Sequence, residues 1–383
     1  MKENEASAPW QTLTTIRSRL NDTVLRRDSL ELVSGNYDTD SHPAAHEPNQ
    51  IGFATQGFEN FHFEVPDDLR GKTATLRFEL EGNTPIYLDD VFFQSVHLKL
   101  GNPTLTDPAD GANQQKARFD VAQPNNYLIE KPQYVLSYNN RERGPNWVSY
   151  QLNNSWIGAQ ERRQNEAWDR DFQLLPPLEG TQGQWYTGTG RQIHRGHMTT
   201  RSHRNRNLKD QQSTFYTSSM LPQHAHNNSD SFQSAWYNLE GYARDQLVLT
   251  EGKELYIISG GFGSAPLPNN PPIPANHPLR VNGINYPEAT WKVIVVLEPG
   301  QGVADITEDT RVIGVITPNN ARPTDLTPEQ LEAWRNWGEW RFSVDDIESV
   351  TGLNLLSNIP EEIQDQIEER VDNGPTERTG VVS

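Results

Sequence analysis

His194-Arg195-Gly196-His197-Met198, then Ser218-Ser219-Met220-Leu221-Pro222-Gln223, Asn227-Asn228 and Asn238-Leu239-Glu240, is the stretch of this 383-residue chain whose reading decides the fold. Gln192 to Met198 and Thr214 to Met220 carry β-branched and aromatic residues in short runs, which predicts two strands joined by the polar segment Thr199 to Ser213. Downstream, Phe232, Trp236, Leu239, Ala243 and Leu247 recur at spacings of three and four. That period predicts an amphipathic helix from about Ser229 to Val248, capped by Asn228 or Ser229. The order is strand, strand, helix.

The polar residues of this unit suit phosphodiester hydrolysis, where a water must lose a proton and charge must be stabilised on phosphorus and the leaving oxygen. His197 is a candidate for removing that proton, since neutral imidazole is populated at working pH. Asn228 and Glu240 supply hard oxygen atoms. Mg2+ keeps several of its waters and takes one or two protein ligands, so no dense ligand cluster is required. On a regular helix Glu240 and Arg244, four apart, project from one face and set a carboxylate beside a guanidinium. Read alone, the same pair is an ordinary surface ion pair.

In that order the residues resemble the DNA/RNA non-specific endonucleases of the ββα-metal (His-Me finger) class, in particular their bacterial and cyanobacterial secreted members. Arg195-Gly196-His197, Ser219-Met220-Leu221-Pro222-Gln223, Asn228, Trp236 and Leu239-Glu240 carry the resemblance. Tyr134-Val-Leu-Ser-Tyr138, Pro145-Asn-Trp-Val-Ser149 and Asn154-Ser-Trp-Ile-Gly158 extend it over roughly Gln133 to Ile367. It implies an α+β fold, a central antiparallel sheet flanked by helices. It implies His197 as general base, Asn228 as the direct protein ligand of Mg2+ with Mn2+ able to substitute, and Glu240 as acceptor for metal-bound water. It further implies Arg244 on the phosphate, and Arg162, with Arg163 a near-equal candidate, steadying the scissile group. With Arg195, Arg201, Arg204 and Arg206 as further phosphate contacts, the resemblance implies DNA and RNA as substrates, cut to 5′-phosphate and 3′-hydroxyl ends. The resemblance also implies a secreted or periplasmic protein.

Two departures stand out. The leading Asp of the family pattern is His194 here, which makes the local charge less negative and pH-dependent. The separation of Asn228 from Trp236 exceeds the family's by about one helical turn, which an extra turn or a bulged loop would absorb. If that insertion displaces the amide, Asp230 or Asn227 takes its place. A rival zinc site on His194, His197 and His224 or His226 also has to be weighed, because five of the ten histidines fall between His194 and His226. Against it, the chain has no cysteine and no H-E-x-x-H pattern.

A formal net charge of -18 opposes the approach of a polyanion. Between Thr187 and Leu208, however, Arg191, Arg195, Arg201, Arg204 and Arg206 stand without an acidic residue, whereas Asp345 to Glu377 is strongly acidic. A basic patch on an acidic body is expected. The absence of cysteine excludes disulfides; no apolar run spans a membrane, and Met1-Lys-Glu-Asn-Glu-Ala lacks the apolar core of a signal peptide.

Residues 1–107 alternate strand-like runs (Leu30 to Val33, Phe61 to Val65, Thr73 to Leu80, Pro85 to Leu100) with turn residues. This predicts a small all-β sandwich-like module preceding the nuclease domain. Ile86-Tyr-Leu-Asp-Asp-Val-Phe92 resembles the closing strand of carbohydrate-binding jelly rolls, so a glycan is a candidate partner. Residues 108–125 read as a linker, 126–372 as the nuclease domain and 373–383 as a disordered tail. Leu255 to Ser259, Trp291 to Leu297 and Arg311 to Ile316 are expected to extend the central sheet, and Gly260 to Asn285 to form a long loop. Thr327 to Trp340 and Pro360 to Val371 have helical spacing, with Ser343-Val-Asp-Asp346 a cap between them. Two rival functions follow: a nuclease-like protein that binds nucleic acid without cutting, and a glycan-binding or adhesion protein acting through the N-terminal module. The oligomeric state is open.

Overall fold

The computed structural model describes residues 96–106, 114–160, 168, 170–171, 173–174, 178, 180–181, 192–264, 280–281 and 283–379, and before these only the backbone of four short strands. Those four are β1 (Lys2–Glu3), β2 (Leu30–Ser34), β3 (Glu59–Phe63) and β4 (Ala74–Thr75). β1 pairs antiparallel with β4, and β2 with β3. They belong to one compact unit, Met1–Val91; the second is Phe92–Ser383. The closing strand expected at Ile86 to Phe92 lies outside the described residues.

The second unit starts earlier than the sequence predicts. β5 (Thr104–Thr106) pairs with β6 (Gln114–Lys116) on one side and with β18 (Leu353–Asn354) on the other. Val96–Leu98, expected as strand, is a short 3-10 turn, and Leu98, Leu100 and Ala117 are buried in the same core as Ile347, Leu353 and Leu355. The boundary therefore falls near Val91 rather than 107, and residues 114–125 are part of the fold, not a linker. Local polarity misled there: Leu98, Leu100, Leu105 and Ala117 are spread thinly among polar residues, and the core that buries them draws on residues from Leu128 and Trp147 to Leu353 and Ile367.

The body of this unit is a seven-stranded antiparallel sheet. Its strands are β7 (Tyr127–Lys131), β8 (Tyr134–Asn139), β9 (Gly144–Leu152), β12 (Glu254–Phe262), β15 (Ala289–Leu297), β16 (Val312–Pro318) and β17 (Arg341–Phe342). They are ordered β17-β16-β15-β12-β9-β8-β7. The three later strands lie where the apolar runs predicted. Strand period two divides β15: Trp291, Val293 and Val295 enter the main core with Ile347 and Ile367, so Thr290, Lys292 and Ile294 face the other side. Cross-strand partners share a face. Ser259 opposite Lys292 and Thr317 opposite Thr290 therefore join them, as does Tyr150 opposite Ile257. A buried polar stripe thus runs across one face of the sheet.

β13 (Arg280–Val281) and β14 (Ile284–Asn285) form a small hairpin within the long loop. In the C-terminal part, α4 (Pro328–Arg335), α5 (Val344–Thr351) and α6 (Glu361–Glu369) appear as their spacing predicts. Thr327 and Ser343 close capping boxes. The tail is not loose over its described length. Asp372 accepts from Arg311 Nε at 2.8 Å and from Arg341 Nη1 at 3.3 Å, and Thr379 N–H donates to Gln246 at 2.6 Å. The two bonds to Asp372 are charge-assisted and hold the start of this segment without apolar burial. No described helix is long and apolar enough to cross a membrane.

Candidate active site

The site is a strand-strand-helix unit laid on the polar stripe. β10 (Ile193–His197) pairs antiparallel with β11 (Met220–His224), with Arg195 opposite Pro222 and His197 opposite Met220. The second strand lies later than predicted. Thr214 to Ser219 has strand-like residues but is used up in tight turns, and the intervening segment contains α1 (Leu208–Ser213), capped by Asn207. Ser259 Oγ donates to the Met198 carbonyl at 2.9 Å and ties the hairpin to the sheet.

Gly196 explains part of the motif. A Cβ there would overlap the Gln223 side chain, so only glycine lets that amide lie across β10. Gln223 Nε2 then donates to Asn227 Oδ1 at 2.6 Å. Asn227 Nδ2 in turn donates to Thr317 Oγ1 and to the Pro318 carbonyl, each at 3.0 Å. Asn227 thus has both ends of its amide committed and is no candidate ligand. Its neighbour Asn228, last residue of α2 (Ala225–Asn228), is half-buried, and no hydrogen bond among the described residues engages its side chain. A partnerless amide beside a fully committed one suits a hard cation, which takes a single carbonyl oxygen and keeps its waters.

The predicted continuous helix is broken. Residues Asp230–Phe232 make a 3-10 turn, Gln233 takes a positive φ of 48°, and α3 (Ala235–Gly241) starts afresh with Ser234 accepting from the Tyr237 N–H. The insertion is absorbed in that turn, not by an extra helical turn, and the cap is Ser234 rather than Asn228 or Ser229. After Gly241 the helix widens into a π-helical segment, Tyr242–Thr250. Four residues no longer make the simple one-face spacing of an α-helix across that junction. Arg244 instead donates from Nε to Asp245 at 2.6 Å and from Nη2 at 3.1 Å.

Glu240 is buried and paired with a residue the motif did not reveal. Lys292 Nζ donates to its Oε1 at 3.1 Å and lies 3.9 Å over the Trp236 ring. His203 Nε2 sits 3.0 Å from the Glu240 carbonyl, with its Nδ1 3.1 Å from the Tyr150 hydroxyl. Burial, then the nearby Lys292, push the His203 pKa well down, so this ring is neutral. The signal was present: Thr290 and Lys292 break an otherwise apolar strand at period two.

His197 is half-buried, its ring 5.1 Å from Trp168 and 5.3 Å edge-on to Phe215. Arg195 stacks 4.1 Å over Trp168. Strand alternation points His194, three residues before His197, to the opposite face of β10. His194, His197, His224 and His226 do not gather into a zinc site; the one group of metal-ligating types among the described residues is Asp345, Glu348 and Glu368.

The basic cluster also divides. Arg204 is a correction to the sequence reading: it is fully buried and spends its guanidinium on the carbonyls of Gln133 (2.8 Å), His203 (2.7 Å) and Gln151 (2.7 Å). Stacked on Trp156, it braces the core and has no face for a phosphate. Arg206 is exposed and paired with Asp210 at 2.7 Å, and Arg201 is half-buried. Arg162, Arg163 and Arg191 lie outside the described residues.

Comparison with known proteins agrees with this architecture. A family model described as DNA/RNA non-specific endonuclease matches residues 114–362. The chain is 38% identical over 285 residues to a nuclease of Nostoc sp., covering 73% of this chain and 87% of that protein. It is 32% identical over 156 residues to mitochondrial endonuclease G of Bos taurus, covering 40% of this chain and 48% of that protein. With the nuclease of Serratia marcescens it shares 23% identity over 246 residues, covering 62% and 78% of the two chains.

Proposed function

The chain belongs to the DNA/RNA non-specific endonuclease family, and from that premise we propose that the hairpin and helix around His197, Asn228 and Glu240 hydrolyse phosphodiester bonds in a metal-dependent reaction. The observation that carries this reading is the chain of contacts from Gly196 through Gln223 to Asn227, which fixes the backbone beside Asn228, while no side-chain hydrogen bond engages the Asn228 amide among the described residues. Asn228 would hold a divalent cation directly and Glu240 would accept from one of its waters. Mg2+ is the expected ion, with Mn2+ as substitute. When bound, such an ion stabilises negative charge on the phosphate and the departing oxygen.

The remaining work falls to the chain itself. His197, held between Trp168 and Phe215, takes the proton of the attacking water. Arg195 is held at the site by its stacking on Trp168, from which its donors reach phosphate oxygens. Arg244 binds the phosphate with the donors that Asp245 does not occupy, and Arg162 or Arg163 steadies the scissile group. Arg201 and Arg206 add contacts along the backbone. Phosphate contacts carry no direct sequence information, so both DNA and RNA are expected substrates and binding weakens with salt. Attack with departure of the 3′ oxygen leaves 5′-phosphate and 3′-hydroxyl ends. Extension of the DNA fragments by a polymerase without prior phosphatase treatment tests that outcome; ends that need phosphatase first would refute it.

A further inference from the structure

The polar stripe ends beneath Glu240 in an ammonium group. Lys292 is 1% exposed, in the middle of β15 between Trp291 and Val293, and among the described residues Glu240 is its ion-pair partner. Burying such a pair carries a desolvation cost that attraction only partly offsets, and an apolar pair of the same volume is often the more stable choice. Stability alone is thus a poor reason for a lysine here. What the pair does supply is geometry. Oε1 of Glu240 is occupied from below by Lys292, the carbonyl of the same residue is held by His203, and His203 is held by Tyr150. Trp236, one turn back along α3, covers the ammonium. Glu240 is therefore fixed at both its backbone and its side chain, and among the described residues no hydrogen bond occupies its Oε2.

We propose that Lys292 is a positioning residue for the divalent-cation site: by holding Oε1 it fixes the Glu240 carboxylate so that Oε2 accepts from a cation-bound water, and in this way it sets the affinity for the cation. The inference rests on the reading of Glu240 and Asn228 given above. Outer-shell partners of this kind typically change metal affinity by about 10- to 100-fold when removed.

Calorimetric titration of the full chain with Mn2+ tests it, using Lys292→Met, Lys292→Arg, Glu240→Gln and the double variant Lys292→Met/Glu240→Gln. Lys292→Met is expected to weaken Mn2+ binding about tenfold and Lys292→Arg to restore it to within about threefold of the parent. In the Glu240→Gln background, Lys292→Met is expected to add nothing, because its effect passes through that carboxylate. Unchanged or tighter Mn2+ binding by folded Lys292→Met overturns the proposal, as does an independent, multiplicative loss in the double variant. If Lys292→Met alone does not fold, the double variant, which buries no lone charge, is compared with Glu240→Gln, whose amide oxygen still accepts from Lys292 Nζ: equal affinities support the proposal and a tenfold gap refutes it. Parent protein that binds no Mn2+ overturns the reading of the cation site as well, whereas failure in the variants alone overturns only the role of Lys292.

Discussion

Gly196→Ala is the smallest change that should disable the site without touching a reacting group. The added methyl group falls on the Gln223 side chain, which must leave β10 and give up its 2.6 Å bond to Asn227 Oδ1. Losing that bond leaves Asn227 Oδ1 with the longer 3.3 Å bond from Thr290 Oγ1, at a cost of about 1 kcal/mol, and overpacking costs about 1–3 kcal/mol more. A total near 3 kcal/mol corresponds to a fall in Tm of roughly 6 °C for a unit of this size, at about 2 °C per kcal/mol. Cleavage should drop about 10- to 100-fold, because Asn227 fixes the backbone beside Asn228. Thermal unfolding and plasmid cleavage measure the two effects. In a Gln223→Ala background the glycine has room to grow, so Gly196→Ala should then cost less than about 1 kcal/mol. A single variant with unchanged Tm and full activity, or a penalty equally large without Gln223, would refute the reasoning.

Three further outcomes are expected. Arg204→Met should destabilise by roughly 3 kcal/mol or more, since three backbone carbonyls lose a buried donor. The salt dependence of nucleic-acid binding should stay as in the parent when measured below the melting range; a shallower slope would return Arg204 to the substrate. At Asp372 burial pushes the pKa up, but the bonds from Arg311 and Arg341 win and hold it below the usual carboxylate range. Its stabilisation is therefore whole above the unfolded pKa and lost as pH falls through the lower folded value. Asp372→Asn should cost about 2 kcal/mol at neutral pH and nothing in strong acid, by chemical denaturation across pH. Glu368 behaves oppositely: burial first, then Glu348, raise its pKa to about 8. The folded state keeps that proton more tightly than the unfolded chain, so stability is lost as pH rises from the usual glutamate range through about 8. Glu368→Gln should then be the more stable protein at alkaline pH, and an equal decline in both would contradict the assignment.

Much of the nuclease unit was legible because its signals are local. The runs at Leu255, Trp291 and Arg311 are apolar enough to be strands in any context, and the capping boxes at Thr327 and Ser343 mark helix starts directly. Thr214 to Ser219 was misread because β-branched residues favour a strand only when a partner is in reach, and here the chain turns instead. The break before Ser234 was hidden because the apolar period continues through Phe232 although the backbone does not. Arg204 reads as one more surface arginine; only the packing of Trp156 and three carbonyls around it shows a core strut. The catalytic motif named His197, Asn228 and Glu240 as candidates, yet what positions them comes from Tyr150, Ser259, Thr290, Lys292 and Thr317. These residues are far apart in sequence and meet through sheet register alone.

The most direct test is cleavage of supercoiled plasmid and of single-stranded RNA by the purified chain with Mg2+, with Mn2+ and with excess EDTA, beside His197→Ala. Both polymers should be degraded with either ion, EDTA should stop the reaction, and His197→Ala should lower the rate about 10²- to 10⁴-fold, as expected for a lost general base. Full activity in EDTA, or His197→Ala cutting as fast as the parent, would contradict the site described.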